Sequence, residues 1–294
     1  MFGIDDCNFP KKNTRTHMKN KTVKRGSKAY KYNTVILFPH SLGQTKLGTD
    51  KAPHYLNKYI NKKKHQVKKI VNTGNLFKNI NALYQANQAS TGKIVNIGGD
   101  HSMSIATIAD SLNKYPTTKV IYFDAHADLN TYKSSKSKHY HGMPLSFVTG
   151  LDSDSKFSFI KNKLPFENLL YIGSRCWDPY EVNEVYKRNI KFLTPDMINN
   201  NFTESLNKIL NFVGDGPVHV SFDVDSIDPK YIPSTGTPVK NGVDLMKAKM
   251  ILDKLNSGNI VNLDITELNM NLGTKADGKK SGINTEKLFH KFIK

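Results

Sequence analysis

Short apolar runs and helix-like segments alternate along most of this 294-residue chain, and that alternation leaves few folds open to it. Strand-like runs are TVILFPH (34–40), KIVNIGG (93–99), KVIYFDAH (119–126), NLLYIGSR (168–175), IKFL (190–193), PVHVSFDVD (217–225) and NIVNLDITEL (259–268). Helices are expected between them at 51–60, 101–115, 179–188, 203–213 and 244–256. The first of these has Pro53 near its first turn and Asp50 as its expected cap. Parallel neighbours need a crossover long enough for a helix, so strand–helix alternation points to a parallel sheet covered on both faces. The expected fold is α/β, a three-layer α/β/α arrangement with a central, mostly parallel sheet. No linker divides residues 34–294, which read as one domain behind a flexible basic extension over residues 1–33.

The charge is large, and its placement decides what it means. Of the formal +18, nine Lys or Arg residues against Asp5 and Asp6 fall within residues 1–33. The remaining excess is spread out, with one dense spot at NKKKHQVKK (61–69). No aromatic residue interleaves there to stack on a base, as single-strand binders provide. These lysines read as a solvated face and argue against nucleic acid as a partner. A basic scaffold that grips an anion such as RNA is the reading from a different functional class. No apolar run approaches the ~20 residues of a membrane span. The N-terminus is polar and basic, without the apolar core of a secretory signal. Cys7 and Cys176 are the only cysteines. They are too few for a disulfide framework or a thiolate zinc site, and fit a reducing, cytoplasmic compartment.

In open parallel sheets, ligands bind beyond the carboxyl ends of strands. Four such ends carry acids or imidazoles here. Gly98-Gly99-Asp100-His101 is a sharp turn that delivers a histidine to a helix start. Asp124, His126 and Asp128 alternate, and on a continued strand would share one face. Asp223 and Asp225 repeat the spacing, with Asp228 beyond, and the last strand ends in Asp264 and Glu267. An isolated Asp-x-Asp commonly caps a helix, and a lone histidine after Gly-Gly is commonly a turn residue. Gathering so many at the ends of one sheet costs several kcal/mol, on the order of that for buried unpaired polar groups, unless a cation joins them. The expected ligands are His101, Asp124, His126, Asp128, Asp223 and Asp225. Oxygen-rich ligation with some imidazole suits Mn²⁺ or Mg²⁺, with imidazole favouring Mn²⁺. Six ligands suit two ions better than one.

The motifs GGDHS (98–102), DAHADLN (124–130), SFDVDSIDP (221–229), GTP (236–238) and DITELN (264–269) together resemble the ureohydrolases, and the arginase family most closely. The resemblance runs in order from about residue 34 to 273. It implies two Mn²⁺ per subunit and hydrolysis of L-arginine to L-ornithine and urea by a hydroxide bridging the ions. One ion would be held by His101, Asp124, Asp128 and Asp223, the other by Asp124, His126, Asp223 and Asp225. Asp128 would also orient the hydroxide, Glu267 would pair with the guanidinium, and His141 would shuttle protons. Asn130 and Ser137 stand where the family binds the α-carboxylate, and Asp178 and Glu181 where it holds the α-amino group. The resemblance also implies a homo-oligomer whose state is open, because Met246 and Lys247 replace an Arg–Glu pair that ties some family trimers together. His139 and Ser135 depart from the usual Asn and Thr of the carboxylate loop. Agmatinase, or a hydrolase of another guanidino or formimino compound, is the alternative that shares the metal set.

Overall fold

The computed structural model describes residues 33–294. The expected basic extension therefore lies, apart from Asn33, outside the described residues. Eight strands form one sheet: β1 Asn33–Phe38, β2 His65–Lys69, β3 Ile94–Gly98, β4 Lys119–Phe123, β5 Leu169–Ile172, β6 Lys191–Leu193, β7 Val218–Asp223 and β8 Ile260–Thr266. Their spatial order is β2-β1-β3-β8-β7-β4-β5-β6, and every adjacent pair is parallel. The helices are α1 Ala52–Leu56, α2 Leu76–Gln88, α3 Ser104–Lys114, α4 Pro144–Thr149 and α5 Pro179–Lys187, then α6 Pro195–Asn200, α7 Phe202–Val213, α8 Leu245–Asn256 and α9 Lys275–Ile293.

Side-chain alternation along the strands builds two cores. Val35, Leu37, Val95, Ile97, Phe222 and Leu263 pack against Leu56 of α1, Ile209 of α7, Leu252 of α8 and Phe289 of α9. On the other face Ile36 and Phe38 meet Leu83 of α2 and Ile105 of α3. Val120, Tyr122 and Tyr171 there meet Leu112, Leu145 of α4 and Val185 of α5. Helices thus cover both faces, which is the three-layer fold expected. Among the described residues no helix is long and apolar enough to cross a membrane.

The strand order also places the site. The chain builds β1, β2 and β3, leaves β3, and starts a second block at β4; β7 and β8 later fill the gap between β3 and β4. Four adjacent strands, β3-β8-β7-β4, therefore come from two distant stretches of sequence, 94–123 and 218–266. Their carboxyl ends carry the acid and imidazole motifs.

Three expectations need correction. Residues 65–69 of the lysine-dense spot are strand β2, at the sheet edge. Lysines are what a free edge tolerates, because they discourage pairing with another chain, so the charge hid the strand. Asp50 caps no helix: it lies in a 3₁₀ turn, Thr49–Lys51, and pairs with Lys51 Nζ at 2.8 Å. Finally, β4 stops at Phe123, so Asp124, His126 and Asp128 do not share a strand face. Beyond Phe123 the backbone turns, and Asp128 has φ +50, in the left-handed region. Asp225 likewise follows β7 in a 3₁₀ turn, Val224–Ser226.

Candidate metal centre

The turn after β3 is set by packing. A Cβ at Gly99 would lie 1.5 Å from the His40 carbonyl oxygen, so only glycine lets this turn pass under the loop after β1. Asp100 then accepts from the Ser102 N–H (3.1 Å) and the Gly43 N–H (2.8 Å). It is a tether between two loops, and it sends the next side chain, His101, over the sheet. Burial is outweighed by His40 beside it, and then by the Ser102 hydroxyl and the Gly43 N–H, which together hold the Asp100 carboxyl below its usual range.

His101 is the hub. Its Nδ1 lies 3.0 Å from Asp124 Oδ2, 3.1 Å from Asp128 Oδ2 and 3.3 Å from Asp223 Oδ2. Its Nε2 lies 2.9 Å from Ser221 Oγ. A second focus adjoins it: His126 Nδ1 is 3.4 Å from Asp124 Oδ1 and 3.1 Å from Asp225 Oδ2. His101, Asp124 and Asp223 can aim one donor atom each at a common point, and so can Asp124, His126 and Asp225. Asp124 belongs to both groups, as a bridging carboxylate must. Asp128 joins the first through the Nδ1 contact above.

The donor set fits divalent cations. Four carboxylates, all under 9% exposed, face two imidazoles, so the cluster stays short of positive charge even with both imidazoles protonated. The nearby Arg175 guanidinium donates to backbone carbonyls, those of Asp225 and Val239 among them. Asp124 Oδ2 is buried and accepts no hydrogen bond. The 3.0 Å approach of His101 Nδ1 to this oxygen is not an aligned hydrogen bond, and a buried carboxylate oxygen so placed is costly unless a cation satisfies it. Burial, with Asp128 and Asp225 beside it, pushes the Asp124 carboxyl up to about 6. Burial and the same kind of crowding, from Asp225 and Asp124, push Asp223 well up. For Asp225, burial is outweighed by His126, the Ala125 N–H and Arg175, which hold it below the ordinary range.

Glu267 stands beside the cluster, also in a left-handed backbone conformation (φ +65). It accepts from the His101 N–H at 2.8 Å and from Gln44 Nε2 at 2.7 and 3.0 Å. His141 Nδ1 is 3.4 Å from Glu267 Oε1; burial opposes the shift, but that partner raises the imidazole's pKa. Two strained non-glycine residues, Asp128 and Glu267, thus sit at one site, each at a cost of about 1–3 kcal/mol that the surrounding bonds sustain.

The loop after the cluster is anchored from below. Asn130 Nδ2 donates to Asp178 Oδ2 at 2.9 Å, joining this loop to the N-terminus of α5. Asn130 Oδ1 accepts from Ser134 Oγ. Ser137 is exposed on the loop and accepts from the His139 N–H. Glu181 is placed differently from the expectation of a substrate contact. It is 4% exposed, and its two oxygens accept from the Leu129 and Asp178 N–H groups. It is a positioning residue under the loop, and burial pushes its carboxyl up to about 8. Asp178 itself is exposed. Asp228 lies outside the cluster and holds the Lys230 and Gly242 N–H groups.

Sequence reasoning missed Gln44, Tyr122 and Ser221. The carboxyl end of β1 leads directly to Gln44, and the strand-end rule could have reached it. Ser221 lies two residues before Asp223 within β7, so alternation puts both on one face, and Tyr122 lies two residues before Asp124, just inside the end of β4.

Comparison with known proteins fits this geometry. The arginase family model matches residues 33–292. The chain is 37% identical to an arginase of Eremothecium gossypii over 63% of its own length and 48% of that protein. It is 39% identical to an arginase of Neurospora crassa over 64% of its own length and 57% of that protein. The matches thus span about half the length of these curated relatives. The crystal structure of Entamoeba histolytica arginase in complex with L-ornithine superposes with a TM-score of 0.81 at 27% identity, covering 89% of this chain and 98% of that one. A sheet whose middle four strands end in clustered acids and imidazoles, matched by the family model over nearly all of its described residues, has one reading: the chain belongs to the arginase family.

Proposed function

We propose that this chain hydrolyses L-arginine to L-ornithine and urea with two Mn²⁺ ions per subunit. The observation that carries the proposal is the convergence of His101, Asp124, Asp128 and Asp223 on one focus and of Asp124, His126 and Asp225 on another. Imidazole with several carboxylates favours Mn²⁺ over Mg²⁺. When bound, such a metal pair supplies Lewis-acid activation that makes hydroxide available near neutrality.

The chain's own residues do the rest. Glu267 offers a carboxylate for the guanidinium, a planar cation that matches it. Gln44 and the His101 N–H hold that carboxylate in place. Asp128 accepts a hydrogen bond from the attacking water and orients it toward the guanidinium carbon. As the bond from that carbon to the side-chain nitrogen breaks, His141 gives the leaving amine its proton. Asn130 and Ser137 meet the α-carboxylate, and Asp178 meets the α-amino group. Glu181 acts through Asp178 and Leu129. The presence of Asn130 and Ser137 on the loop after β4 supports arginine over agmatine, since a site built to meet a carboxylate discriminates against a substrate without one. The relative solved with L-ornithine, the expected product, supports the same choice. Agmatine, or another guanidino or formimino compound, is the second reading. A cytoplasmic setting and a homo-oligomer complete the proposal, from the two cysteines and the family resemblance respectively.

Urea release from L-arginine and from agmatine, measured side by side with Mn²⁺-loaded protein, tests it. Urea from arginine with agmatine a poor substrate is expected. Urea from agmatine alone would reverse the substrate assignment.

A further inference from the structure

Tyr122 is fully buried, and the mechanism above gives it no task. Strand register puts it in a row one level below the cluster: Tyr171 of β5, Tyr122 of β4, Ser221 of β7 and Asp264 of β8 are successive partners. His101 rests on that row. Its ring stacks on the Tyr122 ring, centroids 4.7 Å apart and 9° from parallel. Its Nε2 meets Ser221 Oγ, which in turn lies 2.9 Å from Ser104 Oγ, and Ser104 donates to buried Asp264. The Tyr122 hydroxyl then reaches upward, donating to Asp128 Oδ2 at 2.9 Å, 3.2 Å from His101 Nδ1. Next to it, the Tyr171 hydroxyl donates to the Ala127 carbonyl at 2.7 Å. Two phenols therefore hold the left-handed turn at Asp128 by its carboxylate and by the preceding backbone.

We propose that Tyr122 is a positioning residue of the metal centre, whose ring and hydroxyl present His101 and Asp128 as one rigid pair of ligands to one of the two ions. This rests on the two-ion reading above. Among the described residues nothing comparable touches the His126 ring, whose ion-pair partners are Asp124 and Asp225. Loss of the hydroxyl should therefore weaken one half of the site and spare the other. Groups that orient metal ligands typically contribute 10–100-fold in affinity.

The test is equilibrium dialysis of metal-free protein against graded Mn²⁺, with bound metal counted per chain. Wild type should take up two ions. Tyr122→Phe keeps the ring stack, and should shift one binding phase to about 10–100-fold higher Mn²⁺ while leaving the other in place. The shifted phase should be the one that His101→Asn weakens. In an Asp128→Asn background the same Tyr122→Phe change should add little, because the hydrogen bond acts through that carboxylate; a change that only loosened the fold would add its full effect. Wild type with two ions and a superimposable Tyr122→Phe curve would overturn the role of Tyr122 alone, as would equal weakening of both phases. Wild type that takes up no Mn²⁺ would overturn the metal reading and this proposal with it.

Discussion

At the scale of single residues, Asp128 and Glu267 hold left-handed backbone among the buried carboxylates of the site. Aspartate and histidine at strand ends announced a cation site because few other arrangements tolerate them. The sequence could not reveal that Asp128 turns left-handed, since that conformation depends on the bonds around it and not on residue type. Glu181 misled for a related reason: its neighbour Asp178 is exposed while Glu181 points inward to two backbone N–H groups. Asp223→Ala, which removes a proposed ligand from the His101 focus, should lower kcat for urea release by at least two orders of magnitude, above the usual loss for groups that merely orient ligands. Unchanged turnover would show that Asp223 holds no essential metal. Asn130→Ala should raise KM for arginine about 10–100-fold, the equivalent of roughly 1–3 kcal/mol for a stranded polar partner. KM for agmatine should change much less; equal changes would remove the loop from substrate selection.

At the scale of elements, strongly apolar strands and helices were read within a few residues, as at α5, α7 and α8. Elements without an apolar signature were not. β2 carries two lysines in five residues, and it exists because β1 offers it a parallel partner. The α5 N-terminus shows how an element serves the site. Asp178 and Glu181 form a capping box, and Glu181 also holds the loop at Leu129. The folded Glu181 carboxyl is raised to about 8 from 4.5. The folded chain therefore holds that proton more tightly than the unfolded chain. Its contribution to stability is complete below about pH 4.5 and is lost as pH rises through 8. The melting-temperature advantage of wild type over Glu181→Gln, which does not titrate, should shrink across that window. An advantage that stays constant or grows would show that Glu181 is not a raised, buried acid.

At the scale of the whole molecule, the fold follows from strand–helix alternation, but the strand order does not. Insertion of β7 and β8 between β3 and β4 is a long-range event that local pattern cannot encode, and it alone joins GGDHS to DAHADLN and SFDVDSIDP. The overall charge acts at this scale too. A chain of formal charge +18 repels a cationic substrate at long range. Salt screens that repulsion, so kcat/KM for arginine should rise by a modest factor as ionic strength goes from about 10 to 150 mM. A steep fall with salt would point to an anionic substrate or to phosphate contacts.

In the proposed function, side chains from the ends of β3, β4 and β7 gather two divalent ions. Anomalous diffraction at the manganese edge, from crystals grown with Mn²⁺, tests it most directly. Two peaks are predicted, one contacting His101 and the other His126, with Asp124 touching both. A single peak, or two that leave His101 or Asp225 without a metal contact, would contradict the account.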